Sequence, residues 1–588
     1  MKTEWDLKDL EVNFNEERKN YQSETEKFAS KWKNRKDYLE KPEILKEALE
    51  EYEKLLTDYQ ETNEEAYYWL KEKKDSGDTD VTSKFRGVEK FSQKMNDEIR
   101  FFGLKVAKIS KKNQTKFLGY PGLNEYKHYL EGSFNEAKYL LSEKEEKIID
   151  LKSRSAHSAW EDMTDKLLLS EERKTLLEDG SYGKKTYPDL LNLMKSKNKK
   201  VRENAKMNFE YILDRHGISV EAEINAILRN KEIDDELRGF KRPDSERHLD
   251  DDLESEVVDA LIKSVTKRFE ISHKYYELKS KLLGVPKLDY SERAMNYGEI
   301  KSDYNYENSV KLVKKVLGNL DSEFGEIFSN FVETGKIDAF PKKGKDGGAF
   351  CVHFTKNKPV YILLNHAGSL DDVTTIAHET GHGINNELMK KQNSLNFGTP
   401  LSTAEVASTF MEDFVLEELT KEARDEEKLA ILMEKLDRDI STIQRQVAFY
   451  NFEKELHKTF REKSYLSKEE IGELFKSNLS KYMGSSVDCS KADNWWMYVG
   501  HFRRPFYVYS YASGLLISKT MQEKVKENPE FVGKVKDFLS SGESKSPKKL
   551  FLDMGIDITK EDFWNKGLDG LEKILVQTEA LAKKLGKI

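Results

Sequence analysis

The sequence predicts a mostly α-helical protein with a small β-sheet beside one helix of special character. Three observations predict it. Only 11 prolines occur among 588 residues, alongside abundant Glu, Lys and Leu. Apolar residues recur at steps of three and four through most of the chain, as Leu45, Leu49, Tyr52, Leu55 and Leu56 do. A single region, residues 335–365, turns to loop and strand chemistry.

Composition narrows the function. Lys+Arg number 99 and Asp+Glu 107, a formal charge of −8. That balance makes no electrostatic case for nucleic acid, which needs a clearly basic face. Charged residues form 35% of the chain, but 11% aromatics argue against disorder. Two cysteines, Cys351 and Cys489, exclude a disulfide scaffold and a cysteine-rich zinc module. The opening Met1-Lys2-Thr3-Glu4-Trp5-Asp6-Leu7 lacks the apolar stretch of a secretion signal, and no window approaches 18 apolar residues. The expectation is a soluble cytoplasmic protein that binds neither membrane nor nucleic acid. Its oligomeric state is left open.

Taken in order, residues 15–112 read as long antiparallel amphipathic helices with a narrow packed seam. Gly119-Tyr120-Pro121-Gly122 is a turn and a subdomain boundary. Helical pattern resumes over 126–178, breaks at Asp179-Gly180-Ser181-Tyr182-Gly183, and returns over 188–282. The run Asp250-Asp251-Asp252 reads as helix-start or surface charge. Strands are expected at 349–354 and 359–364, after the loop Gly344-Lys345-Asp346-Gly347-Gly348. That loop lacks the Gly-Lys-Ser/Thr ending of a phosphate-binding loop. Helices then run from Asp371 to the end. The division expected is a helical arm over 1–115, a helical lobe over 116–200 and a catalytic domain over 201–588.

The chemistry sits in Ala377-His378-Glu379-Thr380-Gly381-His382. Two histidines four residues apart lie about 40° apart around a helix, so both reach one ion. Glu379 is displaced around the helix, beside the ion, where it acts on a water instead of ligating. With 11 His in the chain, about 0.02 such matches arise by chance. Ser369-Leu370-Asp371-Asp372 has the form of a capping box that starts this helix. The strand at 360–364 is expected as a sheet edge that holds an extended peptide.

Zinc needs a third protein ligand and an open position. A third histidine six residues beyond His382 is excluded, because that residue is Leu388. Glu405, in Ala404-Glu405-Val406-Ala407-Ser408-Thr409, is the carboxylate candidate, on a helix capped by Ser402 or Thr403 after Pro400. Glu412, two turns on, faces the same way and is a candidate to hold a ligand histidine. A second cluster runs from Trp495 to Gly514 and includes His501, Arg503, Arg504, Tyr507, Tyr509 and Tyr511. Tyr507 and Tyr511 are four apart and share a helical face, while Tyr509 points elsewhere. Read alone, these residues are packed core aromatics. Near a zinc site they donate hydrogen bonds to an oxyanion.

Together these segments resemble the thimet-oligopeptidase-like zinc metallopeptidases, and within them the oligoendopeptidase F branch. The resemblance is carried by His378-Glu379-Thr380-Gly381-His382 followed by Glu405. It extends to Trp5-Asp6-Leu7-Lys8-Asp9-Leu10, to Asp346-Gly347-Gly348-Ala349-Phe350-Cys351, and to the stretch from His501 to Ala512. It implies a two-lobed helical bowl with a deep central cleft and a small sheet next to the zinc helix. It implies one zinc ion per chain on His378, His382 and Glu405, with Glu379 as general base. His501, Tyr507 and Tyr511 become donors to substrate or transition state. The implied activity is endopeptidase cleavage of short peptides. Zinc then polarises the scissile carbonyl and acidifies a water whose proton Glu379 takes and passes to the leaving amine. Two alternatives stand beside it. One is a helical peptide-binding scaffold with a degenerate metal site. The other is an exopeptidase using Arg503 or Arg504 for the terminal carboxylate.

Overall fold

The computed structural model describes residues 1–300 and 304–588, and 70% of what it describes is helical. The chain forms two compact units, each assembled from three stretches. The first comprises Met1–Lys138, Ser302–Lys421 and Met521–Ile556; the second Tyr139–Lys301, Glu422–Thr520 and Asp557–Ile588.

In the first unit, helices Phe14–Trp32, Pro42–Tyr59, Asn63–Lys74 and Thr79–Ala107 realise the amphipathic pattern. Three begin on polar caps: Asn13, Thr62 and Asp78 accept backbone N–H groups of their first turns. Proline opens the fourth, at a position whose N–H has no helical partner. Leu45, Leu49 and Leu55 are buried with Phe28, Trp32 and Phe102 in one core. Trp5 lies in a second core with Leu70, Tyr361 and Leu363, and its indole N–H donates to the Ile362 carbonyl at 2.9 Å.

That second core supports a three-stranded sheet. Tyr361–Leu363 is its centre, parallel to Ile337–Asp338 and antiparallel to Phe350–Val352. The strand expected as the sheet edge is therefore central, and Phe350–Val352 is the edge on that side. Ile337–Asp338 covers the other side; at two residues it is too short to show an alternating pattern.

In the second unit, the 40-residue helix Lys199–Arg238 ends on Gly239, whose φ of 80° stops the helix in the left-handed region. It packs against helices Gln446–Lys463 and Lys468–Met483. The helical expectation for 126–178 ends early, because Arg173–Leu176 pairs antiparallel with Tyr182–Lys185 as a hairpin. The Asp250-Asp251-Asp252 run closes a helix, Ser245–Asp250, instead of opening one. Asp251 is buried and accepts from Arg247 and from the Tyr509 hydroxyl. No helix among the described residues is long and apolar enough to cross a membrane.

Candidate active site

Helix Leu370–Met389 starts on a reciprocal capping box. The Asp372 N–H donates to Ser369 Oγ at 3.2 Å, and the Ser369 N–H donates to the Asp372 carboxylate at 2.8 Å. Val373, Ile376, Ala377, Ile384 and Leu388 bury one face. His378 and His382 share another, with ring centroids 5.1 Å apart.

Gly381, between them, controls what comes opposite. A Cβ there would lie 2.6 Å from the Ala407 carbonyl oxygen and from Ser408 Cα, so helix Leu401–Glu422 crosses in backbone contact. This contact brings Glu405 Oε2 to 3.3 Å from His378 Nε2 and 3.6 Å from His382 Nε2. One atom from each of the three residues lies within 4.8 Å of the others. Tetrahedral zinc with bonds of about 2.0–2.1 Å holds neighbouring donors about 3.4 Å apart, so this donor set fits the ion. Ser402 and Thr403 fall inside the first turn of the Glu405 helix; Thr403 donates back to the Pro400 carbonyl.

Two further side chains hold the cluster. Glu412 accepts from His378 Nδ1 at 2.9 Å, so Nε2 is the nitrogen turned toward Glu405 and the one a metal would take once its proton is displaced. Ser408, fully buried, holds its hydroxyl 3.0 Å from Glu405 Oε2 and 3.1 Å from the Glu405 carbonyl, its one proton shared between them.

The electrostatics follow from burial and these partners. Burial pulls the His378 imidazole down, but Glu405 and Glu412 override it and raise its pKa to about 10. His382 is lowered to about 4 by burial and by the charge of His378. Burial opposes ionisation of Glu405, yet both histidines pull its carboxyl down to about 2. Glu379, mostly buried, is pushed up to about 7, by burial first and by the Glu405 charge; His378 and the Cys351 backbone N–H oppose that rise. His378, Glu379, His382 and Glu405 line a cavity of about 410 Å³ with Phe350 and His353.

His501, Tyr507 and Tyr511 lie in the second unit and meet one another there. The His501 and Tyr507 rings stack at 5.8 Å, and His501 Nε2 is 3.0 Å from the Tyr511 hydroxyl. Tyr507 precedes helix Tyr509–Glu527 instead of sharing its face, although its ring is 5.4 Å from that of Tyr511. Arg503 is buried in a two-pronged pair with Glu223, at 3.0 and 2.8 Å. The residues that sequence reasoning missed are Ser408, whose only signal is its place three after Glu405, and Gly381 as the contact point.

A family model described as Peptidase family M3 matches residues 192–570, and one described as Oligopeptidase F matches 105–170. The chain is 27% identical over 504 residues to the plasmid-encoded oligoendopeptidase F of Lactococcus lactis subsp. cremoris, covering 84% of this chain and 82% of that one. It is 26% identical over 507 residues to the group B oligopeptidase PepB of Streptococcus agalactiae, covering 84% and 82%. Its fold matches the crystal structure of oligoendopeptidase-F from Enterococcus faecium with a TM-score of 0.71 at 20% identity, over 97% of this chain and 99% of that one.

Proposed function

Because the chain belongs to peptidase family M3, and is by that membership a metallo-endopeptidase, we propose that it hydrolyses internal bonds of short oligopeptides with zinc as its metal. The observation that carries this reading is the approach of His378 Nε2, His382 Nε2 and Glu405 Oε2, with the Glu379 side chain lining the same cavity. His378, His382 and Glu405 would hold the ion. When bound, zinc supplies Lewis acidity, polarising the scissile carbonyl and acidifying a water.

The chain's own residues do the rest. Glu379 accepts the proton of the attacking water and delivers it to the leaving amine nitrogen. Glu412 keeps the His378 ring in one orientation and tautomer. The Phe350–Val352 edge offers main-chain groups to an extended peptide. His501, with Tyr507 and Tyr511, donates hydrogen bonds to the bound peptide; removing one such donor costs about 10²–10³ in rate. His501 suits this role as a neutral ring, because burial and the charges of Arg445 and Arg504 lower its pKa. An exopeptidase needs a donor for the terminal carboxylate. Of the two candidates, Arg503 is committed to Glu223, and Arg504 lies 3.8 Å from Glu161.

Digestion of a peptide library read by mass spectrometry tests the reading. Internal cleavage of short peptides, lost with a chelator and restored by zinc, is expected. Trimming of one or two terminal residues, or cleavage that survives metal removal, would refute it.

A further inference from the structure

The segment carrying His501 and Tyr507 is gripped by two buried carboxylates. Glu223 takes Arg503, as described above. Three residues on, Phe506 has a φ of 62°, in the left-handed region that a bulky side chain rarely enters. Such a conformation persists only where the surroundings over-determine it.

A local turn, closed by the Tyr507 N–H on the Arg504 carbonyl at 3.3 Å, sets part of this conformation, and two tertiary contacts hold it. The fully buried Phe506 ring sits between Tyr450 and His457, at centroid distances of 5.5 and 4.8 Å. The Phe506 backbone N–H donates to Glu453 Oε1 at 2.8 Å. Glu453 is 1% exposed, and its Oε2 has no hydrogen-bond partner among the described residues. Burial pushes its carboxyl up to about 8, with the Phe506 amide pulling the other way. An apolar residue would occupy this core at less cost. What the carboxyl adds is an acceptor for one strained N–H, and the next residue in the chain is Tyr507.

We propose that Glu453 is a positioning residue, which fixes the left-handed bend at Phe506 and so the presentation of Tyr507 and of the His501 ring stacked on it. The proposal rests on the reading of His501, Tyr507 and Tyr511 as donors to bound peptide.

The test compares Glu453→Gln, which keeps a carbonyl acceptor, with Glu453→Leu, which has none. Peptide kinetics, melting, metal content and backbone deuterium exchange over residues 500–511 are measured on the full chain. Glu453→Gln should stay within about threefold of the parent kcat, with slow exchange. Glu453→Leu should keep its metal and its KM, lose about 10²-fold in kcat, and exchange faster over 500–511. The more adaptable Glu453→Met carries the same expectation if the leucine variant folds poorly. Parent-like exchange or parent-like kcat in the variants without an acceptor would overturn the proposal. His501→Ala and Tyr511→Phe serve as the separate control. Normal turnover in both would reject the donor reading, and with it the catalytic consequence of Glu453, while the exchange data still report the grip on Phe506.

Discussion

One oxygen of Glu405 faces three partners: His378, His382 and the Ser408 hydroxyl. The hydroxyl turns the carboxylate toward the rings, so Ser408→Ala should weaken metal binding by about 10-fold or more. Competition with a chelator of known affinity measures this, and unchanged affinity would mean that Ser408 only packs. Protonation makes a second prediction. Without metal, His378 holds a proton up to about pH 10, while His382 is neutral above about pH 4 and Glu405 ionised above about pH 2. The cation must displace the His378 proton and disfavours the fraction held by Glu379, so zinc uptake at pH 7 should release at least about one proton and grow stronger as pH rises. Calorimetry in buffers of different ionisation enthalpy counts it. Uptake without proton release would contradict the His378 assignment.

At the scale of elements, the site depends on how closely two helices cross at Gly381. Gly381→Ala places a methyl 2.6 Å from backbone atoms of the opposite helix, which cannot yield as a side-chain end can. A stability loss of about 1–3 kcal/mol is expected, with weaker metal binding because Glu405 moves away with its helix. Denaturant titration and metal competition together check it; parent-like values in both would mean that the crossing is looser than described. The helix that carries His378 and His382 was readable from sequence because its cap and its four-residue spacing are local signals, and Ser369 caps it as expected. Glu405 followed from a carboxylate set among apolar neighbours on the next helix. What escaped was non-local or lacked pattern. The 173–185 hairpin pairs Lys174 with Lys184, so no apolar alternation marks it. The strand at 361–363 became central through a two-residue neighbour. The Arg503–Glu223 pair joins residues 280 apart in the chain, and Tyr509 turned to a buried aspartate more than 250 residues upstream.

For the whole molecule, the three candidate ligands, Glu379 and Glu412 all fall within one stretch of the first unit, Ser302–Lys421. A ligand that binds only the folded state stabilises it by about 2.7 kcal/mol at 100-fold excess over its Kd. Metal removal should therefore lower the melting temperature by several degrees in scanning calorimetry. An unchanged melt would show that no ion is bound there. The proposed hydrolysis depends on Glu379 acting on water beside a metal that it does not ligate. Glu379→Gln, assayed side by side for metal content and peptide cleavage, tests this most directly. The prediction is one ion retained per chain with cleavage almost abolished; near-normal cleavage, or loss of the ion, would contradict it.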